Sequence, residues 1–250
     1  MSNEVMFLLA QRPNKALFRR GEQTVKLFDG TVCAADVLNE ALNQARVQET
    51  GLPVPRLHEV TKHDDGRWAI ISDYIEGQTL LQCMEEQPER LEEWMALLVR
   101  LQMEVHSKRA PLLGRMKDKL NRKISACGLD ATSRYELHTR LETMPAHAKV
   151  CHGDFNPSNV ILREGKPFLI DWAHVTQGNA AADAANSYLT FLRLGMEDKA
   201  QLYLKLYCEQ SDTARQYLEK WIPIVAAARL SGAAPESRGF WARWCEGITE

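Results

Sequence analysis

The chain reads as an α+β protein in two parts, a small β-rich N-terminal lobe and a larger, mostly helical C-terminal lobe. Three observations predict this. Short apolar or β-branched runs alternate with turn chemistry up to about residue 75. Helical spacing then takes over near Leu91 and dominates from Ala180 onward. Between these helical stretches, residues 149–171 hold the only β-like segments of the second half, and they bracket a polar loop.

Taken in order, runs at 5–10, 16–19 and 24–28 predict strands. They are separated by Gln11-Arg12-Pro13-Asn14 and Gly21-Glu22-Gln23, which are turn chemistry. Asp36 opens a helix with Val37, Leu38, Ala41, Leu42 and Ala45 at helical spacing, and Gly51 and Pro53 stop it. Residues 68–74 predict a further strand ending at Ile75-Glu76-Gly77. Beyond Pro88, Trp94, Leu97, Leu98, Leu101 and Val105 mark a strongly amphipathic helix over 91–108. Weaker helical patterns cover 117–126 and 132–141. The C-terminal part predicts helices near 180–194, 198–209, 212–230 and 236–248.

The 250 residues are 45% apolar and 26% charged, the balance of an ordinary globular protein. A net charge of -2 gives no electrostatic reason to expect nucleic acid as a partner, since such binders usually carry a basic face. The six cysteines form no CxxC pair, which argues against a zinc site or a disulfide framework and for reduced thiols. The apolar run at 5–10 is too short for a signal segment, and no run approaches a membrane span. A cytoplasmic protein with no membrane association is expected.

The chemistry concentrates in His152-Gly153-Asp154-Phe155-Asn156-Pro157-Ser158-Asn159, followed by an apolar run and Ile170-Asp171-Trp172. This stretch offers one carboxylate, a carboxamide five residues on, and a second carboxylate twelve beyond that. Mg²⁺ takes one or two such groups and completes its octahedron with phosphates and water. A carboxylate can also align a weakly nucleophilic hydroxyl toward phosphorus and accept its proton late in the transfer. Asp154 is therefore the expected catalytic residue, with Asn159 and Asp171 as magnesium ligands. The runs 160–162 and 167–170 predict a hairpin about Arg163-Glu164-Gly165-Lys166, which would bring Asn159 and Asp171 to one end of two paired strands. His152 is expected to pack behind the loop, since a histidine base would make the adjacent carboxylate redundant.

His152-Gly153-Asp154, Asn159 and Ile170-Asp171-Trp172 resemble the motifs of the aminoglycoside phosphotransferase and choline kinase family. In these protein-kinase-like enzymes the HGD segment stands where protein kinases have H-R-D, and the later Asp where they have D-F-G. The resemblance implies a protein-kinase-like two-lobed fold, with residues 1–75 binding nucleotide and 76–250 carrying the catalytic loop, metal site and substrate-binding part. It implies a small-molecule kinase that uses Mg²⁺, ATP or GTP, and a small hydroxylated acceptor. It matches Lys26 to the family's nucleotide-phosphate lysine, and Glu40, eleven residues before Gly51, to the carboxylate that holds it. The helical pattern alone leaves Glu40 and Glu49 both open. Ser72-Asp73-Tyr74-Ile75 resembles the hinge, where the Asp73 carbonyl and Ile75 amide would contact adenine with Ser72 behind them. Asp183, twelve residues after Asp171, matches an aspartate that buttresses the catalytic loop.

Two departures stand out. The family's first loop usually bears glycine so that bare amides approach the phosphates. Here 11–14 has none, with Arg12 and Lys15 as candidates to supply a side-chain cation. Ala173-His174 follows Trp172 where acidic or small residues are more usual, and His174 reads as a loop residue. Trp221, Trp241, Trp244, Tyr188 and Tyr217 read as core rather than as a pocket wall. The expected acceptor is an aminoglycoside, a choline- or ethanolamine-like alcohol, an amino alcohol or a sugar. The competing expectation, a nucleotide-binding regulator or scaffold without catalysis, rests on the glycine-free loop.

Overall fold

Strand β3 (Gln23–Phe28) sets the pattern of the first sheet. Its period of two sends Val25 and Leu27 to one face and Lys26 and Phe28 to the other. The first pair packs with Ala69 and Ile71. On the opposite face, Phe28 and Ile70 meet Val37 and Ala41 of helix α1 (Ala34–Gln48). The computed structural model describes residues 5–246. With β1 (Phe7–Arg12), β2 (Lys15–Arg20), β4 (Leu57–Lys62) and β5 (Trp68–Asp73), β3 forms an antiparallel sheet of order β1-β2-β3-β5-β4.

Strand β4 is absent from the sequence reading, and the reason is physical. It is an edge strand, its apolar residues are only half-buried, and an irregularity between Leu57 and Glu59 breaks its alternation. The chain divides into two compact units, and the first takes in the residues up to Gln82 together with Ser158–His174. That later segment belongs here because β8 (Val160–Arg163) pairs with β6 (Gln78–Thr79) as well as with β9 (Lys166–Leu169). The β8–β9 hairpin turns at Glu164 and Gly165, both at positive φ (51° and 77°), the geometry of a tight two-residue connection. Gly77 is required where it lies: a Cβ there would fall 2.2 Å from the Leu162 carbonyl oxygen.

The second unit takes Cys83–Pro157 and the chain from Val175 onward. After α2 (Leu80–Glu86), it holds α3 (Leu91–Ser107), α4 (Met116–Ser125), α5 (Ala131–Thr143), α6 (Ala180–Arg193), α7 (Glu197–Ser211), α8 (Arg215–Glu219), α9 (Ile222–Leu230) and α10 (Arg238–Cys245). One strand pair, β7 (Lys149–Cys151) with β10 (Thr176–Gly178), lies among them. Helix α3 buries Met95, Leu98, Val99, Leu101 and Val105 along one stripe, packing on α7. Each fully buried aliphatic side chain contributes about 1.5–3 kcal/mol, so Leu98→Ala would loosen this seam.

The helix expected over 212–230 is two helices. Asp212 ends α7 in the left-handed region, and Pro223, which lacks an N–H, stands in the first turn of α9. The helix expected over 236–248 is seen as α10, and its last two residues lie outside the described ones. Among the described residues, no helix is long and apolar enough to cross a membrane. Trp221, Trp241 and Tyr188 are buried core residues, and the Tyr217 hydroxyl accepts a 2.6 Å hydrogen bond from the Asn179 amide.

Candidate active site

In the first unit, sheet alternation delivers Lys26 to the face on which α1 packs, and Glu40 lies one turn beyond Val37 on that helix. The two side chains form a close ion pair. Glu49, the rival, is exposed at the C-terminal end of α1. The Lys26 ammonium also donates to Asp171 Oδ1 at 3.4 Å. Burial alone would lower the Lys26 pKa, but Asp171 and Glu40 together outweigh it and hold it above the usual lysine value. The side chain therefore stays charged at any ordinary pH.

Lys15 joins the same cluster, 3.8 Å from Asp171 and 4.0 Å from Glu40. It opens β2, directly after the glycine-free turn, so a side-chain cation stands beside the carboxylates. Arg12 is exposed.

The Ile170 amide donates to the Asn159 carbonyl at 3.0 Å, which closes the hairpin and ties the two expected metal residues to one end of β8 and β9. Asp171 adopts φ 62°, a left-handed conformation that an aspartate tolerates better than most residues. Its carboxylate is 39% exposed, so it is reachable by a ligand. A carboxylate and a carboxamide are hard oxygen donors, which fits Mg²⁺.

The Ser72–Ile75 segment ends β5. Ile75 is buried, and the Asp73 carboxylate is engaged by the Arg56 amide at 3.0 Å and by His58 at 2.7 Å. His174 is exposed.

In the second unit, α6 holds the loop 152–155. Asp183, Asn186 and Ser187 fall at i, i+3 and i+4, and therefore on one face. Asp183 accepts from the His152 amide (3.1 Å), the Gly153 amide (2.7 Å), His106 (3.0 Å) and Gln102 (3.3 Å). Asn186 donates to the Gly153 carbonyl at 3.0 Å, and Ser187 to the Phe155 carbonyl at 2.7 Å. Burial would raise the Asp183 pKa, yet the hydrogen bond and charge of His106 hold it below the usual value. His152 is fully buried, with Nδ1 accepting from the Asp154 amide and its ring edge-on to Phe155. His106, Cys151 and Asp183 have potential ligand atoms within 4.8 Å of one another. With the Asp183 oxygens already receiving four donors, this trio is a hydrogen-bonded buttress.

Arg229 is the residue that sequence reading missed. It stands near the end of α9, donates to Asn186 (2.6 Å), to the Gly153 carbonyl (3.0 Å) and to Asp154 Oδ1 (2.9 Å). A signal was available: Arg229 is the one charged residue in Ile222–Leu230, where every other side chain is apolar. The Asp183-x-x-Asn186-Ser187 spacing was a second signal.

With this geometry, a family model described as the phosphotransferase enzyme family matches residues 13–221. The chain belongs to that family. Its fold is the kinase-like fold of the aminoglycoside phosphotransferases. The thermostable mutant of APH(4)-Ia in ternary complex with ADP and hygromycin B superposes with a TM-score of 0.70 at 14% identity, covering 97% of this chain and 90% of that one. An aminoglycoside-3'-phosphotransferase of type VIII aligns at 20% identity with a TM-score of 0.65, covering 93% and 94%. This family member is also 30% identical over 160 residues to the KEOPS complex subunit Bud32 of Pyrococcus abyssi, covering 64% of this chain. It spans about half, 53%, of the length of that relative.

Proposed function

We propose that the protein moves the γ-phosphate of ATP or GTP to a hydroxyl of a small molecule in a Mg²⁺-dependent reaction. The observation that carries this reading is the Lys26 ammonium held between Glu40 and Asp171. A cation fixed this way meets nucleotide phosphates without having to be ordered at the moment of reaction. Lys15 supplies a second cation where other family members have glycine amides. Asn159 and Asp171 would hold the metal, whose chemistry is to neutralise phosphate charge. The backbone of Asp73 and Ile75, with Ser72 behind, would receive the base.

In the second unit Asp154 orients the acceptor hydroxyl and takes its proton. Its loop is held rigid by Asp183 and His152, and Arg229 fixes its carboxylate rotamer through one oxygen. Reaction-ready orientation is the main thing a protein contributes to this class of transfer. APH(4)-Ia was captured with ADP and hygromycin B, and an aminoglycoside 2'-phosphotransferase with GDP, which supports nucleotide use by this chain.

The test is ADP release from MgATP and MgGTP across a panel of hydroxylated metabolites and antibiotics. At least one acceptor should stimulate release above the acceptor-free rate, and Asp154→Ala should abolish the stimulation. A chain that neither binds nucleotide nor releases ADP with any acceptor would instead be a scaffold.

A further inference from the structure

The turn between β1 and β2 cannot cradle a phosphate with its own backbone. Such a cradle needs several free N–H groups converging on one point. Strand pairing here runs to the tip, where Arg12 stands opposite Lys15, and only Pro13 and Asn14 lie between the strands. Proline has no N–H, so the turn residues offer a single backbone donor, that of Asn14. The Asp29 amide donates to the Asn14 carbonyl at 2.9 Å and ties the turn to the residue after β3.

The same pairing decides where the side chains of the tip point. Directly opposed residues of an antiparallel pair share a face. Arg12 is opposite Lys15, and Lys15 is opposite Phe28, which lies on the Lys26 face of β3. Arg12, Lys15 and Lys26 therefore project from one face of the sheet. The register is also a ruler. Thr24 is opposite Ser72, where the segment that would receive the base begins. At ~3.4 Å per residue, Lys26 lies about 7 Å further along β3, and the level of Phe28, Lys15 and Arg12 about 14 Å. Measured from the base, Arg12 is at the far end of the row, where the last phosphate of a nucleotide would lie.

Charge points the same way. Lys15 and Lys26 face Glu40 and Asp171, and these four charges sum to zero, whereas MgATP is itself an anion. Arg12 adds a positive charge at the tip. It is exposed, and among the described residues its guanidinium makes no hydrogen bond or ion pair. A planar guanidinium meets two phosphate oxygens at once, which a lysine ammonium does not.

We propose that Arg12 grips the terminal phosphate of the nucleotide in place of a backbone cradle, and so sets a preference for the triphosphate over the diphosphate. This proposal rests on the phosphotransferase reading above and names a residue that selects the donor.

The experiment is calorimetric titration of the full chain with MgATP and with MgADP, for the wild type, Arg12→Gln and Arg12→Lys. Arg12→Gln should raise the MgATP Kd about tenfold and the MgADP Kd by less than about twofold. Arg12→Lys, which keeps the charge and loses the fork, should fall between the wild type and Arg12→Gln for MgATP. Added salt should weaken MgATP binding more in the wild type than in Arg12→Gln. Unchanged MgATP affinity in Arg12→Gln overturns the proposal, and so does an equal loss for both nucleotides, which would take Arg12 away from the terminal phosphate. A wild type that binds neither nucleotide defeats the phosphotransferase reading, and this proposal falls with it.

Discussion

The two units carry charged clusters built on opposite plans. In the first, Lys15 and Lys26 face Glu40 and Asp171, two cations against two carboxylates within about one side-chain length. In the second, Arg229 is bonded to the loop carboxylate Asp154, and the buried Asp183 is held by hydrogen-bond donors. A balanced cluster can receive a metal and a polyphosphate that bring their own opposing charges. A hydrogen-bonded loop instead fixes one carboxylate in place. The difference teaches that charge pairing organises the cluster of the first unit and hydrogen bonding to a loop that of the second.

The comparison can be broken most strongly at Asp154. Asp154→Ala should lower kcat by about 10²–10⁴, the range for loss of a positioned acid–base group, with the nucleotide KM little changed. A mutant that keeps most of its activity on an identified acceptor would remove Asp154 from the reaction. Next in size is Asp183→Ala, which strands His106, Gln102 and two loop amides in a buried environment. It should destabilise the protein by about 3–5 kcal/mol, read as a fall in denaturation midpoint.

Smaller effects sharpen the contrast. The ion pairs of Lys15 are long, at 3.8 and 4.0 Å, so Lys15→Ala should raise the nucleotide KM by about two- to fivefold and leave the acceptor KM alone. The smallest effect is a pH dependence in the second unit. Burial first, then Lys123 and Arg229, lower the Lys119 pKa to about 8. Because the folded pKa lies below the unfolded one, stability should rise between about 8 and the unfolded lysine value of about 10.4, where the unfolded chain holds more protons.

How much of this was legible in the sequence depends on what carries each feature. Strands with clean alternation, such as Gln23–Phe28, and helices with a continuous apolar stripe, such as Leu91–Ser107, follow from local pattern. The edge strand Leu57–Lys62 does not, because only one side of it is covered and a bulge resets its register. The same divide runs through the site. Asp154, Asn159 and Asp171 lie within eighteen consecutive residues and carry their own spacing. Glu40 could not be separated from Glu49 by helical periodicity, since the pairing with Lys26 is decided by which face of β3 meets α1. Arg229 is seventy-five residues from Asp154, and the bond between them exists only once α9 has packed.

The most direct test of this division between the units is thermal denaturation of the wild type, Asp171→Ala and Asp154→Ala, each with ATP in the presence and absence of Mg²⁺. The wild type should be stabilised by MgATP more than by ATP alone. Asp171→Ala should lose the Mg²⁺-dependent increment, while Asp154→Ala should keep it in full. An increment that survives Asp171→Ala, or that disappears in Asp154→Ala, would contradict the assignment of nucleotide and metal to the first unit and of the acceptor to the second.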